Sequence, residues 1–214
     1  IYLYTARTKN NKGFKEEVLF MIIYSGIKSQ FMEAVETASI ATQIKDNIYD
    51  KMHRKTGLSE FKSWKQSLQS MYVVLTDSKI PDDTGIAIEY NIPQTSKRVD
   101  FIISGYDADK NPNVIIIELK QWTEVNAVQG QDALVETYTG GALRKVVHPS
   151  YQAWSYKVMI EDYNSHVQNY KISLHPCAYL HNYQRSNPDN LDQTQYQEYI
   201  DEAPLYTEGE VLKL

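Results

Sequence analysis

Two neighbouring segments decide the fold, Arg98-Val-Asp-Phe-Ile-Ile-Ser-Gly105 and Val114-Ile-Ile-Ile-Glu-Leu-Lys-Gln-Trp122. Their apolar runs and the polar connection between them predict two β-strands. The continuous apolar start of the second segment is typical of a strand buried on both faces. Asp100, Glu118 and Lys120 stand where such strands would carry hydrophobic residues. We therefore interpret these three charged residues as a candidate active centre.

The spacing of Glu118 and Lys120 places both side chains on one face of the strand, because strand side chains alternate with period two. Charges at the end of a buried strand are costly unless they are paired or bind an ion. A plain salt bridge is one interpretation. Asp100 favours another, because a hairpin brings its carboxylate beside Glu118. Two carboxylates and water form the oxygen shell that Mg²⁺ or Mn²⁺ prefers, and Lys120 would stabilise phosphate charge or orient the attacking water.

This ordered set resembles the PD-(D/E)xK nuclease superfamily, whose signature is an Asp on one strand and Glu-x-Lys on the next. Here the pattern is Asp100 followed by Glu118-Leu119-Lys120. Gln152 and Tyr156, which are four residues apart and so share a helix face, are similar to the Gln-x-x-x-Tyr motif of the RecB-like branch. The resemblance implies a restriction-endonuclease-like αβββαβ core. The fold class expected is α/β, a three-layer αβα sandwich with a mixed central sheet.

The resemblance also implies roles for the site residues. Asp100 and Glu118 would bind Mg²⁺ or Mn²⁺ with help from the carbonyl group between Glu118 and Lys120. Lys120 would position water or stabilise charge, while Gln152 and Tyr156 would orient the catalytic groups or a phosphate.

Two further acidic residues are candidate metal ligands, and each has a second interpretation. Glu60 lies in the first turn of a helix predicted to begin at Ser59, where acidic residues stabilise the helix dipole. In many nucleases of the superfamily, an acidic residue on the helix before the sheet joins the metal shell. Glu89 lies on the predicted strand Ile86–Ile92, which we expect to pair with Val99–Ile103 as an antiparallel hairpin. It is either a further ligand beside Asp100 or an exposed cross-strand charge, depending on the register.

A longer part of the chain resembles the N-terminal region of uncharacterised bacterial nuclease-helicase proteins. This similarity runs from Met21 to the C-terminus. It includes the segments Ser63-Trp64, Ile80-Pro81-Asp82-Asp83, Ile88-Glu89-Tyr90-Asn91-Ile92-Pro93, His148-Pro149-Ser150-Tyr151-Gln152-Ala153-Trp154 and His175-Pro176-Cys177-Ala178-Tyr179. It implies that nucleic acid is the partner and that a helicase domain related to the Schlafen group follows in the intact protein.

Composition limits the class of protein. The 214 residues, 42% of them hydrophobic, suffice for one core and one domain. The net charge of -5 is unusual for a nucleic-acid binder and counts against a nuclease. The only cysteine, Cys177, excludes an internal disulfide, and no Cys/His set has zinc spacing. A cytoplasmic protein without a membrane partner is expected, since no apolar run approaches the ~20 residues of a membrane span.

The remaining segments give weaker predictions. Residues 1–20 are interpreted as an upstream extension or expression remnant, and 21–214 as the nuclease-like domain. Gln30–Met52 is predicted to form one helix and Asn126–Tyr138 a short helix. The chain end at Val211-Leu-Lys-Leu suggests truncation before another domain.

Several polar residues are assigned less specific roles. Gly140 and Gly141 lack the Gly-Lys-Ser/Thr of a phosphate loop. Arg144, Lys145 and His148 form a basic turn, either solvated or in contact with phosphate. His175 and His181, six residues apart on one face of a predicted strand, are interpreted as structural. Neither histidine has acidic or cysteine partners with which to hold a metal.

The first functional hypothesis is a Mg²⁺-dependent phosphodiesterase acting on nucleic acid, with DNA ahead of RNA and endo- against exonuclease action left open. The alternative is a catalytically inactive nuclease-like module that binds nucleic acid or a partner while the linked helicase does the work. The sequence leaves the oligomeric state undetermined.

Overall fold

The computed structural model describes residues 22–93, 95–210 and 214. The interpretation of residues 1–20, the start at Met21 and the chain end from Val211 to Lys213 lie outside the described residues. In chain order the strands and helices are β1 (Ile22–Ile27), α1 (Lys28–Glu36), α2 (Ile40–Met52), α3 (Leu58–Leu75), β2 (Gly85–Asn91), β3 (Arg98–Tyr106), β4 (Pro112–Lys120), β5 (Asn126–Ala127), β6 (Leu134–Thr139), β7 (Ala142–Val147), α4 (Pro149–Tyr163), α5 (Ser165–Tyr170), β8 (Ser173–Leu180), α6 (Gln197–Glu202) and β9 (Leu205–Thr207).

A six-stranded sheet forms the centre, in the order β1-β2-β3-β4-β8-β9. The first four strands pair antiparallel, whereas β4–β8 and β8–β9 pair parallel. The predicted hairpin is confirmed, with Ile88 opposite Phe101 across β2 and β3. The α/β class with a mixed sheet is therefore confirmed.

Helices pack on both faces of this sheet because its central strands are apolar on both sides. Ile117 of β4 belongs to a core cluster with α1, α2 and α3, whereas its neighbour Ile116 belongs to a cluster with α4 and α5. The first cluster includes Phe31, Ile44, Leu68, Met71 and Phe101, and the second includes Ile102, Tyr156, Ile160, Val167 and Leu174. None of the helices in the described ranges is long and apolar enough to cross a lipid bilayer.

The prediction of one helix over Gln30–Met52 is wrong, because the chain breaks between α1 and α2. Ala38 adopts a positive φ of 54°. The hydroxyl groups of Thr37 and Ser39 donate to the carbonyl oxygens of Glu33 and Ala34, at 2.8 and 3.2 Å. Such local side-chain bonds to the backbone compete with helix continuation.

The predicted helix over Asn126–Tyr138 is also wrong, because this region contributes β5 and most of β6. These strands and β7 form a separate three-stranded sheet. The turn between β6 and β7 has φ of +59° at Gly140 and +81° at Gly141. A two-residue hairpin turn with positive φ at both positions favours a Gly-Gly pair. Gly140-Gly141 is therefore a sequence signal for a β-hairpin, which argues against a helix in the segment before it.

Candidate active site

Asp100 lies where strands β3 and β4 separate. Their pairing ends at Phe101 opposite Ile117. One residue further, Asp100 Oδ2 accepts a hydrogen bond from the backbone N–H of Leu119 at 2.9 Å. The carboxylate thus satisfies a donor that the strand ladder has released, and this contact holds Asp100 at the opening between the two strands.

Glu118 and Lys120 share one face of β4, as their spacing predicts. Lys120 Nζ lies 2.5 Å from Glu118 Oε1. The Glu118 side chain is only 2% exposed, and its Oε2 is buried without a hydrogen-bond partner among the described residues. One oxygen of this carboxylate is therefore paired and the other is left for a further ligand or proton.

Gln152 and Tyr156 reach the same cluster from α4. Gln152 Nε2 lies 2.8 Å from Glu118 Oε1 and 2.6 Å from the Tyr156 hydroxyl. Lys120 Nζ donates to Gln152 Oε1 at 3.1 Å. The structure therefore brings these two helix residues onto the strand residues, as their i and i+4 spacing favours.

His148 fixes the start of α4 and is not part of an exposed basic turn. Its Nδ1 accepts from the Ser150 backbone N–H at 3.2 Å, as an N-cap, and its Nε2 lies 3.1 Å from the Leu191 carbonyl oxygen. The ring stacks on Tyr196 at 4.6 Å between centroids. Burial lowers the His148 pKa to about 4, so the ring is neutral at pH 7. Arg144 and Lys145 lie on strand β7, so the prediction that these residues and His148 form a basic turn is wrong.

The electrostatics favour one proton on the carboxylate pair. Burial, with the nearby charge of Asp100, raises the pKa of Glu118 to about 8. Burial also raises the pKa of Asp100, although the Lys120 charge opposes that shift. Burial lowers the pKa of Lys120, but Glu118 and Asp100 outweigh it and the net shift is upward. Lys120 is therefore an ammonium, and it lies beside two carboxyl groups that share one proton near neutral pH.

The donor set fits a hydrated hard cation. Mg²⁺ is usually bound through one or two carboxylates and keeps several waters. The buried, unpartnered Glu118 Oε2 and the Asp100 carboxylate supply that chemistry. Within the described ranges, no three His, Cys, Asp or Glu side chains are grouped as metal ligands. Any further ligands would come from water, the backbone or the substrate.

Glu60 is held by arginine side chains. Arg54 forms two hydrogen bonds of 2.8 Å with its two oxygens, and Arg98 lies 3.7 Å away. The hydrogen bond from Arg54 lowers the Glu60 pKa. Glu60 does lie in the first turn of α3, but that helix begins at Leu58, and the predicted N-cap Ser59 is inside it.

Glu89 is buried in the same network, so its interpretation as an exposed cross-strand charge is wrong. It is 3% exposed. Trp64 Nε1 donates to its Oε1 at 2.7 Å, and Arg98 Nε pairs with its Oε2. Burial raises the Glu89 pKa to about 7. The Asp100 charge contributes to that shift, so Glu89 lies near Asp100 while both of its oxygens are engaged by other groups.

Arg98 and Trp64 are the residues of this network that sequence reasoning missed. A buried indole N–H normally finds a hydrogen-bond acceptor, and this requirement is the signal that could have indicated a polar role for Trp64. Arg98 stands two residues before Asp100, at the start of the predicted strand. Glu89 has a φ of +59°, which reverses the strand alternation between Ile88 and Tyr90; nothing in the sequence indicates that reversal.

A second polar network joins the end of β4 to α3 and β8. Gln121 Nε2 donates to Ser67 Oγ at 2.9 Å, and that hydroxyl lies 3.1 Å from His181 Nε2. Burial lowers the His181 pKa. Lys120 Nζ lies 5.2 Å from the centre of the Trp122 ring, within cation–π range. These contacts fix the segment that directly follows Glu118 and Lys120.

Comparisons of the chain with protein-family models, with curated proteins and with solved structures found no match. The similarity to a nuclease superfamily thus remains a hypothesis that depends on the site residues themselves.

Proposed function

We propose that the protein is a divalent-metal-dependent phosphodiesterase acting on nucleic acid, with a restriction-endonuclease-like core of the PD-(D/E)xK type. One observation carries the proposal: Asp100, Glu118, Lys120 and Gln152 meet where β3 and β4 separate, and one buried Glu118 oxygen is unpartnered. DNA is placed ahead of RNA, and a linked helicase domain would supply the substrate.

Mg²⁺ or Mn²⁺, held by Asp100 and Glu118, would supply Lewis acidity and a more acidic bound water. The remaining work belongs to the chain's own residues. Because Lys120 is an ammonium, it would stabilise charge on the phosphate or orient water by donating a hydrogen bond, and it would not act as a base. Gln152 holds Glu118 and Tyr156 in place, which restricts how the carboxylate can turn.

The second candidate is an inactive module that binds nucleic acid or a protein partner. Two observations favour it. Arginine side chains already engage Glu60 and Glu89, which leaves two carboxylates for a metal, and the chain has a net charge of -5. A titration with metal ion, monitored by calorimetry, separates the two candidates. The nuclease requires an ion at Asp100 and Glu118, whereas the inactive module does not.

The deciding experiment compares the wild type with Lys120→Ala and with Lys65→Ala, an exposed lysine on α3. Labelled single-stranded, duplex and forked DNA, and matching RNA, are incubated with Mg²⁺ or Mn²⁺. We expect metal-dependent cleavage that EDTA abolishes. Loss of Lys120 should slow it about 10²–10³-fold, as for other charge-stabilising groups. The control should cleave normally, and undiminished cleavage by Lys120→Ala would refute the assignment.

A further inference from the structure

The β6–β7 hairpin exposes apolar surface that the core does not explain. Its strands pair from Leu134 opposite Val147 to Thr139 opposite Ala142. Near the turn, Tyr138 stands opposite Leu143, and these residues are 69% and 58% exposed. Single exposed apolar residues are ordinary, but a directly opposed pair forms a continuous contact surface.

The two faces of the hairpin differ. Val135 and Val146 are opposite each other and pack into a core cluster at the β8–β9 end of the main sheet. On that same face, Thr137 Oγ1 donates to the Glu124 carbonyl oxygen at 2.6 Å. Strand alternation places Tyr138, Leu143 and Lys145 on the opposite face. Arg144 stands opposite Thr137 on the anchored face, but it lies on the edge strand β7 and is exposed. One face therefore anchors the hairpin and the other is open.

The base of the hairpin is close to the candidate active site along the chain. Strand β7 ends at Val147, five residues before Gln152, whose amide lies 2.8 Å from Glu118. The residues between are mostly helical, with a rise of about 1.5 Å each. From Val147 back to Leu143, the strand spans about 13 Å. That length equals about four base steps of a duplex at 3.4 Å each.

The exposed chemistry of the hairpin suits a polyanion with flat apolar groups. Arg144 and Lys145 are both exposed, and none of the described acidic side chains forms an ion pair with either. Glu136, opposite Lys145, is the one acidic residue of β6 and β7. Arginine and lysine bind phosphates, and an exposed tyrosine offers a ring on which a base can stack.

We propose that the β6–β7 hairpin is a nucleic-acid-binding arm that holds the strand a few nucleotides from the cleaved phosphate. Lys145 contacts a phosphate on the open face and Arg144 contacts one around the edge strand β7, while Tyr138 and Leu143 pack against a base. The proposal rests on the proposed function for its choice of partner. The competing occupant of this face, a second copy of the chain paired along the open edge of β7, is an outcome of the test.

The test measures binding of a fluorescein-labelled 20-nucleotide single strand by anisotropy over a range of salt concentrations. All proteins carry Lys120→Ala, so that cleavage does not interfere. We expect Arg144→Ala with Lys145→Ala to reduce the slope of log K against log salt by about 1.4, or about 0.7 for each lost phosphate contact. Tyr138→Ala should weaken binding about tenfold. The matched control is Lys65→Ala with Lys79→Ala, which also removes two exposed positive charges.

A second measurement separates failure of the arm from failure of the nuclease. Bis(p-nitrophenyl) phosphate is too small to reach the hairpin. With Lys120 intact, the hairpin variants should hydrolyse it at the wild-type rate while they lose cleavage of the polymer. If the wild type hydrolyses neither this diester nor the polymer, the proposed function fails, and the salt slope still decides the arm.

Three results would overturn the arm. The first is a wild-type slope and affinity in the hairpin variants, and the second is an equal loss in the control pair. The third is a concentration-dependent dimer, measured by sedimentation, that Tyr138→Ala dissociates while nucleic-acid binding is unchanged.

Discussion

At the scale of single residues, the site is a balance of charges in a small buried volume. Asp100 and Glu118 share Lys120, while Glu89 and Glu60 share Arg98. Each carboxylate is costly to bury alone, because an unpaired charge loses its hydration. The arginine pairs therefore account for two acidic residues that the sequence offered as metal ligands. Asp100 and Glu118 remain as the pair with a free oxygen.

The Arg98–Glu89 pair should be a strong determinant of stability. We expect Arg98→Ala to cost about 2 kcal/mol, below the ~3–5 kcal/mol of a fully buried broken pair, because a third of Arg98 is exposed. Adding Glu89→Gln should recover part of this loss, because the amide leaves no buried charge. Urea unfolding of the wild type, both single variants and the double variant measures the coupling. Strictly additive losses would show that the two side chains do not act as a pair.

At the scale of elements, local chemistry decides where helices stop and which segments become strands. The gap between α1 and α2 consists of three residues, with Ala38 in the left-handed region. A hydrophobic periodicity continues across that gap, which is why the sequence predicts one helix. Side-chain bonds from Thr37 and Ser39 to helix carbonyls outweigh this periodicity over one turn.

Ala38 offers a direct test of that geometry. A non-glycine residue in the left-handed region costs about 1–2 kcal/mol, so Ala38→Gly should stabilise the protein by about 0.5–1 kcal/mol, after the extra entropy of glycine in the unfolded chain is subtracted. The matched change Ala41→Gly, inside α2, should instead destabilise it by about 1 kcal/mol or more. Thermal unfolding of both variants gives the comparison. Destabilisation by Ala38→Gly would contradict the positive φ.

At the scale of the whole molecule, the candidate site joins elements that are distant in the chain. Asp100 comes from β3, Glu118 and Lys120 from β4, and Gln152 from α4 beyond the small sheet. An ion or proton bound there connects both strands and one helix of the fold. Global stability should therefore respond to pH and metal together.

Between pH 7 and 8.5 we expect the metal-free protein to lose stability as pH rises. Glu118 has a folded pKa of about 8, against the ordinary glutamate pKa of 4.5, so the native state binds more protons than the unfolded chain and rising pH favours unfolding. Glu89, with a pKa of about 7, acts in the same direction. His148 has the opposite effect, because its pKa is lowered to about 4 in the folded protein. Its contribution changes with pH only between about 4 and the ordinary histidine pKa of 6.5, which is below this window.

The slope from Glu118 should be about 1.2 kcal/mol per pH unit at pH 7 and about 0.7 at pH 8, and that from Glu89 about 0.7 at pH 7 and falling above it. Mg²⁺ should reverse the Glu118 contribution, because the ion takes the place of the proton. Glu118→Gln should flatten the slope and abolish the response to Mg²⁺. Urea unfolding at pH 7 and 8.5, with and without the ion, measures both. An equally steep loss in Glu118→Gln would assign the pH dependence to other groups.

The sequence by itself determined the strands β2, β3 and β4, the shared face of Glu118 and Lys120, and the motif on α4, because these follow from side-chain periodicity along a single element. Tertiary structure alone decided that β3 and β4 separate at Asp100, that Glu89 turns inward at a positive φ, and that Arg98 and Trp64 engage its carboxylate. It also decided that the segment after Trp122 forms a second sheet. The physical reason is that these features depend on which groups meet across the fold, and a buried charge is placed by partners far away in the chain.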